Sequence, residues 1–407
     1  MVKDFRRILL FCLLFGTMLI FGLIENIKGV SFPLIKSDFG ASWEQQGLVV
    51  SMTAVAYVSF SIIAGIFLGR FGIKPSFLFG LAVLCLGVTS IFFMPGFFLT
   101  TAALFIIFAG FGFIEVGLNA LATRVFLTRT AMLMSILHAF YGIGAIFGPK
   151  AAGIITNNVH FGWRYAYLFS LPIVLLLFVP ALLTRFPERR MEAGSSGGAA
   201  TAAGRAERKS FFDALRSPMV WLLSVILGLA VVVEMNSSNW GVLYFQDVYG
   251  FNPSTDGASF LSAFYLIFTI SRLICGLFIE KIGYIRSLLG ASVIVLIIFV
   301  AGFFMGEQGI HVLPALGFFV ALLWPTIMAV AIVTFGEDAP VFSSAMIAIG
   351  GLINAGVQFL VGLTNRVFGP AWGYRSSFIY TVLLIIGLLL LRHIHKRANK
   401  EYATPFI

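Results

Sequence analysis

The residues best placed to do chemistry in this sequence are three glutamates that lie inside long apolar segments: Glu25, Glu115 and Glu234. Holding a charge near the middle of a bilayer costs about 2.5–3.5 kcal/mol, so an acid in such a segment is usually retained for a function. Glu115 has no basic residue within a turn or two on its own helix, and apolar surroundings oppose its ionisation. We therefore expect Glu115 to bind and release a proton, with Glu25 and Glu234 as further proton-coupling candidates.

Each of these assignments has a structural alternative. Asn119 follows Glu115 by four residues and shares its helix face, so Glu115 is alternatively a permanently protonated group that hydrogen-bonds to this amide. Glu25 and Lys28 are three residues apart and can neutralise each other as a half-buried ion pair. The sequence leaves both alternatives open.

Amide, imidazole, hydroxyl and indole groups at similar depth are candidates to bind a polar solute. A ring that also carries a hydroxyl group, such as Tyr141, suits a sugar-like ligand. The alternatives are a structural His138 and, for Trp240, a position in the aromatic belt at the membrane interface. The candidate solute-binding residues are Asn26, Asn119, His138, Tyr141, Asn236, Asn239, Trp240, Asn354 and Gln358.

The composition requires these residues to be held by membrane helices. Of the 407 residues, 59% are hydrophobic and only 11% are charged, and the mean hydropathy is +1.00. The apolar runs are apolar all round, which excludes a β-barrel with its period of two. The class is an all-α integral membrane protein.

Twelve segments are long enough to span a bilayer, which takes about 20 apolar residues. We expect them at about 8–30, 46–68, 75–97, 99–122, 131–154, 163–185, 217–241, 257–279, 286–305, 311–334, 343–366 and 373–394. An even number puts both termini on one side, and the loops on that side carry most of the basic residues. The positive-inside rule then makes both termini cytoplasmic, in a cell (inner) membrane.

The net charge of +10 is explained by these loops, so we do not expect nucleic acid as a partner. The three cysteines lie in apolar runs, which favours small buried side chains over disulfides or metal sites. No metal spacing, Ser/His pairing or phosphate loop is found. We therefore expect no cofactor, no metal and no enzymatic activity, and a monomer in the lipid bilayer.

Two halves are joined by a linker that is rich in Gly, Ser and Ala and then basic. Gly162-Trp-Arg164 before the sixth span matches Gly373-Tyr-Arg375 before the twelfth, 211 residues later, and the loops after the second and eighth spans match at the same offset. We expect six-helix bundles at 1–186 and 216–407 with a cytoplasmic linker at 187–215. Such repeats place a binding site between the halves.

The matching loops carry a resemblance to a known family. Gly276, Glu280, Lys281, Gly283 and Arg286 resemble the loop motif of the major facilitator superfamily, although Gly69 replaces the usual acid in the first half. The resemblance implies two pseudo-symmetric six-helix bundles that rock about a central site. It also implies a cytoplasmic gate formed by Arg70, Arg272, Glu280, Lys281 and Arg286, for which simple topology anchoring is the alternative.

Two branches of the superfamily compete. Gly112-Phe-Ile-Glu115-Val-Gly-Leu-Asn119 is similar to the fourth helix of the fucose/glucose:proton symporters, which implies that Glu115 carries the proton and that His138 and Tyr141 contact a sugar. Gly144-x-x-x-Gly148-Pro149 resembles the motif of drug/proton exchangers, although it also suits any close helix pair. The expectation is proton-coupled symport of a sugar or polyol by alternating access; the alternative is proton-driven efflux of an amphipathic compound.

Overall fold

The computed structural model describes residues 2–128, 130–158, 160–187 and 211–398, and these residues form helices and short connections. Twelve of the helices are long and apolar enough to cross a membrane, which confirms the predicted all-α fold. We number them α1 to α12. Most of the predicted linker, residues 188–210, lies outside the described residues.

The spans follow one another with short connections. Their bounds are Arg6–Phe39, Trp43–Phe71, Ile73–Phe93, Phe97–Val125, Met132–Thr156, Trp163–Leu183, Pro218–Tyr249, Pro253–Ile274, Tyr284–Phe304, Gly306–Asp338, Val341–Phe368 and Pro370–Lys396. Several of these spans contain breaks, including α12, which consists of Pro370–Arg375 and Ser377–Ala398. The α6 span consists of Trp163–Leu168 and Leu171–Leu183, and α10 contains a 3-10 turn at Leu313–Ala315, where Pro314 offers no backbone donor.

The predicted ends of α1 and α7 are the two bounds that lie furthest from those of the structure. The predicted end of α1 at about residue 30 is wrong because the helix continues to Phe39, through Pro33. The predicted end of α7 at about 241 is wrong because the helix continues to Tyr249, where Gly250 at φ 75° closes it in the left-handed region. Both extensions carry polar residues, and the ion pair between Lys36 and Asp247 joins one extension to the other.

Glycines allow close helix contacts around α4. A Cβ added to Gly110 would lie 2.8 Å from the backbone nitrogen of Leu84 on α3, and one added to Gly112 would lie 2.6 Å from the carbonyl oxygen of Tyr57 on α2. These glycines therefore let α4, which carries Glu115, approach both neighbours closely.

The helix α5 approaches α1 in the same way. A Cβ on Gly144 would lie 2.0 Å from the carbonyl oxygen of Leu19, and one on Gly148 would lie 2.3 Å from that of Leu23. The Gly-x-x-x-Gly-Pro stretch thus packs α5 tightly on α1. Between the two halves, α2 packs on α11, α5 on α8 and α1 on α7.

We predict that Gly144→Ala lowers the thermal stability of the detergent-purified protein, because its new methyl group meets backbone rather than a movable side chain. Overpacking of this kind typically costs about 1–3 kcal/mol. The matched control is Gly356→Ala, since a Cβ at this position of α11 meets nothing within 4 Å. Equal melting temperatures for the two variants would contradict the prediction.

Candidate functional site

One end of the molecule is closed by contacts between its two halves. Because the described residues form twelve spans, α1 begins and α12 ends on the same side, which we call the termini face; the opposite side is the far face. At the far face, Lys36 on α1 forms an ion pair with Asp247 on α7 at 2.9 Å. A second ion pair joins Glu44 on α2 to Arg366 on α11.

Lys36 and Asp247 occupy equivalent positions in the two halves. They are 211 residues apart, which is the repeat offset found in the sequence. The ion pair therefore joins the two first helices of the repeat where they meet. It also gives partners to the polar ends of α1 and α7, the two segments that extend beyond their predicted bounds.

The same face is closed by a third pair of helices. The hydroxyl groups of Thr156 on α5 and Ser254 on α8 are 2.7 Å apart, and a Cβ on Gly153 would lie 2.1 Å from the Ser254 carbonyl oxygen. At the α2/α11 contact of the same face, a Cβ on Gly362 of α11 would lie 2.6 Å from the carbonyl oxygen of Trp43. Close backbone packing thus leaves little space at the far face.

Toward the termini face, a cavity of about 380 Å³ separates α5, α8 and α10. Of the predicted site residues, it is lined by His138, Tyr141 and Arg272. The cavity wall also includes Met134, Phe268, Thr269, Leu322, Trp324 and Thr326. The cavity extends to Cys275 and Tyr284, near the loop between α8 and α9.

Tyr141 connects this cavity to a buried ion pair. Its hydroxyl group donates to Glu25 Oε2 at 2.7 Å, and the ammonium group of Lys28 lies 3.3 Å from Glu25 Oε1. Lys28 is only 4% exposed and also faces the ring of Phe108 at 5.0 Å. The predicted Glu25–Lys28 pair is confirmed, and within it the carboxylate of Glu25 has a counter-ion.

Glu115 and Glu234 have no such counter-ion. Both are half-buried, and among the described residues neither forms an ion pair or a hydrogen bond. Arg272 and Glu25 are charged groups that act on both of them electrostatically. The hydrogen bond to Asn119 that the structural alternative for Glu115 requires is not formed, and the buried Oδ1 of Asn119 accepts no hydrogen bond.

The structure places Arg272 in the cavity wall, apart from the exposed residues of the predicted gate. Arg70, Lys281 and Arg286 are exposed near the termini face. The side chain of Glu280 is not among those that the structure describes. The other four gate residues form no ion pair with any described residue. The predicted gate therefore remains a prediction.

The polar residues predicted on α7 and α11 are joined in one buried network. Gln358 Nε2 donates to both Asn236 Oδ1 and Asn354 Oδ1 at 3.0 Å, while Trp240 Nε1 donates to Gln358 Oε1 at 2.8 Å. Asn239 adds a longer bond of 3.4 Å to the same oxygen. These side chains bind each other in this structure.

Two further links hold polar groups within their own half. Asn236 Nδ2 donates to Ser377 Oγ on α12 at 3.0 Å, which ties α7, α11 and α12 together. In the other half, Asn26 Nδ2 donates to the carbonyl oxygen of Gly22 on its own helix at 2.8 Å.

The far-face pairs, and the cavity residues Thr269 and Trp324, are functional candidates that sequence reasoning missed. Lys36 and Arg366 were visible only as basic residues of far-side loops. For Lys36 and Asp247, the signal was present in the repeat offset, because opposite charges at equivalent positions meet where the repeat brings the two first helices together.

We predict that Asn236→Ala lowers the melting temperature, because it leaves Gln358 and Ser377 with unpaired buried groups. The expected cost is about 1–3 kcal/mol. Asn157→Ala, at an exposed position after α5, is the matched control and should leave the melting temperature unchanged. An unaltered melting temperature for Asn236→Ala would show that the network contributes no stability.

Comparison with known proteins identifies the family. A family model described as the Major Facilitator Superfamily matches residues 13–342. The chain is similar to the MFS-type transporter SLC18B1 of Mus musculus, 25% identical over 276 residues that make up 64% of this chain and 55% of that protein. It is also similar to the myo-inositol transporter 3A of Cryptococcus neoformans, 27% identical over 203 residues, 46% and 32% of the two chains.

The chain spans about half the length of the first curated relatives it matches. Among solved structures, its fold is similar to a bacterial homologue of the human lysosomal transporter Spinster, with a TM-score of 0.76, 16% identity and 99% of both chains covered. It is also similar to the Escherichia coli fucose:proton symporter, with a TM-score of 0.62, 19% identity, and 93% of this chain and 98% of that one covered. The chain therefore belongs to the Major Facilitator Superfamily.

Proposed function

We propose that this protein is a proton-coupled symporter that carries a small polar solute, such as a sugar, a polyol or a derivative of one, by alternating access. The observation that carries the proposal is that Glu115 and Glu234 form no ion pair with any described residue, whereas Glu25 pairs with Lys28. A carboxyl group that lies between apolar helices without a counter-ion is stable in its neutral form, and it can exchange a proton when water reaches it.

The arrangement of the two faces supports alternating access. The far face is closed by inter-half contacts on α1/α7, α2/α11 and α5/α8, and the cavity lies toward the termini face. The ion pairs of the far face are partly exposed to solvent, and such pairs contribute little to stability. The two halves are therefore able to separate at this face when they rock in the opposite sense.

The orientation follows from the distribution of basic residues. Lys74, Arg124, Lys281, Arg286 and Arg392 are all on the side of the termini. We therefore propose that the termini face is cytoplasmic and that the cavity opens toward the cytoplasm of a cell membrane.

The names of two similar proteins support a sugar-like solute. One is called a myo-inositol transporter and the other a fucose:proton symporter. The second candidate function is proton-driven efflux of an amphipathic compound, favoured by the mostly apolar cavity wall at Met134, Phe268, Leu322 and Trp324. In proteoliposomes, symport makes solute entry acidify the lumen, whereas exchange moves protons outward as the solute enters.

We predict that Glu115→Gln abolishes solute accumulation driven by a pH gradient, because an amide cannot carry the proton. Exchange of labelled for unlabelled solute should persist, since it needs no net proton movement. The matched control is Glu307→Gln, at an exposed far-face position, which should accumulate solute as the wild type does. Unaltered accumulation by Glu115→Gln would refute its role as the proton site.

We predict that a disulfide between cysteines placed at Thr156 and Ser254 stops transport by holding the far face closed. Their hydroxyl oxygens are 2.7 Å apart, close enough for a bridge after small adjustment. The background carries serine at Cys12, Cys85 and Cys275. Oxidation should stop transport and reduction should restore it.

The two single-cysteine variants control for oxidation damage and should transport under both conditions. Full transport by the oxidised double variant, with the bridge verified by mass spectrometry, would mean that this face does not need to open.

A further inference from the structure

We propose that the cavity is a binding site for a small organic anion, anchored by the guanidinium group of Arg272. The inference rests on the proposed transport function and narrows its solute to one that carries a carboxylate or a group of similar charge and shape.

Arg272 has binding capacity that the described protein does not use. Its Nε is buried and has no hydrogen-bond acceptor, and among the described residues no carboxylate lies within 4.0 Å of its side-chain nitrogens. The ring of Phe268, 4.4 Å from Cζ, covers one face of the guanidinium group. A planar fork of donors is left open, and this is the group that pairs best with a carboxylate.

The three membrane carboxylates do not fill this place. Glu25 already accepts hydrogen bonds from Tyr141 and Lys28. Glu115 and Glu234 act on Arg272 only at a distance beyond an ion pair. Since the buried Nε of Arg272 has no acceptor, and a partly buried cation without a partner is costly, an anion from solution would complete the site.

Apart from Arg272 and His138, few groups on the cavity wall can donate a hydrogen bond to a ligand. The hydroxyl groups of Thr269 and Thr326 already donate to carbonyl oxygens of their own helices. His138 joins Arg272 as a polar group on the wall, and much of the rest is apolar. A polyol needs many polar partners, whereas an acid with a compact body needs one strong anchor and a surface to pack on.

The size of the cavity agrees with this class of ligand. Its volume of about 380 Å³ falls within the range of roughly 300–1,000 Å³ that is usual for small-molecule sites. The site is also on the inter-half surface, since α5 belongs to the first half and α8 and α10 to the second. A solute held there contacts both halves and can couple its binding to their movement.

The test is ligand-induced thermal stabilisation of the full chain in detergent at a fixed pH of 7.5, with two matched probe series. The first is benzoate, benzamide and benzylamine, which share a ring and differ in charge. The second is gluconate and sorbitol, which share a polyol body. We expect at least one acid to raise the melting temperature and its neutral or cationic counterparts not to do so.

In titrations of the stabilising acid, Arg272→Gln should weaken binding about tenfold or more, as expected for loss of a charged hydrogen-bond partner. Arg272→Lys should bind with intermediate affinity, because it keeps the charge but not the fork. Arg216→Gln, at an exposed arginine before α7, is the matched control and should bind as the wild type does.

The proposal would be overturned if benzamide or sorbitol raised the melting temperature as much as the matching acid does. It would also be overturned if neither acid raised the melting temperature, or if the affinity for the acid were unchanged in Arg272→Gln. The comparison within each probe series is made on the wild-type chain, so it does not depend on the folding of a variant. Because binding is measured without a pH gradient, these outcomes are independent of whether Glu115 couples transport to protons.

Discussion

A charged side chain inside an apolar bilayer has two stable placements: beside an opposite charge, or at a surface that water or a ligand can reach. The structure uses both. Lys28 and Glu25 take the first placement, with the Tyr141 hydroxyl group as a further donor. Arg272 takes the second, in the wall of the cavity between α5, α8 and α10. Glu115 and Glu234 are half-buried and form no ion pair with any described residue.

The same constraint separates polar groups that hold the fold from polar groups that are free to bind. In the second half, Asn236, Trp240 and Gln358 satisfy one another and tie α7 to α11. Their donors and acceptors are used, so they stabilise this half as a rigid unit. The guanidinium group of Arg272 is not used in this way, and it lies on the surface between the halves, where a binding event can affect their relative position.

The far face shows how a repeat builds a contact between its two halves. Lys36 and Asp247 are equivalent positions of the two halves, and they meet because the first helix of each half lies against the other. Glycines on α2, α5 and α11 bring backbone against backbone at the same end. Such packing is specific in one arrangement, while the exposed ion pairs above it are weak enough to separate. Closure at one end is thereby compatible with a cavity toward the other.

Much of this protein was predictable from its sequence, because membrane helices are selected by local properties. The length and composition of the apolar runs determined twelve spans, and the repeat offset and loop motif indicated the major facilitator fold. The spacing of Glu25 and Lys28 made their pairing one of the two alternatives, since residues three apart on a helix are neighbours, and the structure shows the pair. The Gly144-x-x-x-Gly148-Pro149 stretch correctly marked the close contact of α5 with α1.

Tertiary structure alone decided which polar groups meet. Periodicity places Asn236 and Gln358 on helix faces but gives no information on which helices pack together, so their mutual hydrogen bonds were not predicted. The same limit applies to Arg272, which the loop motif grouped with the gate. It applies also to the extra turns of α1 and α7, because their polar residues pair across the two halves. Contacts between distant parts of a chain depend on packing, and packing is a property of the whole fold.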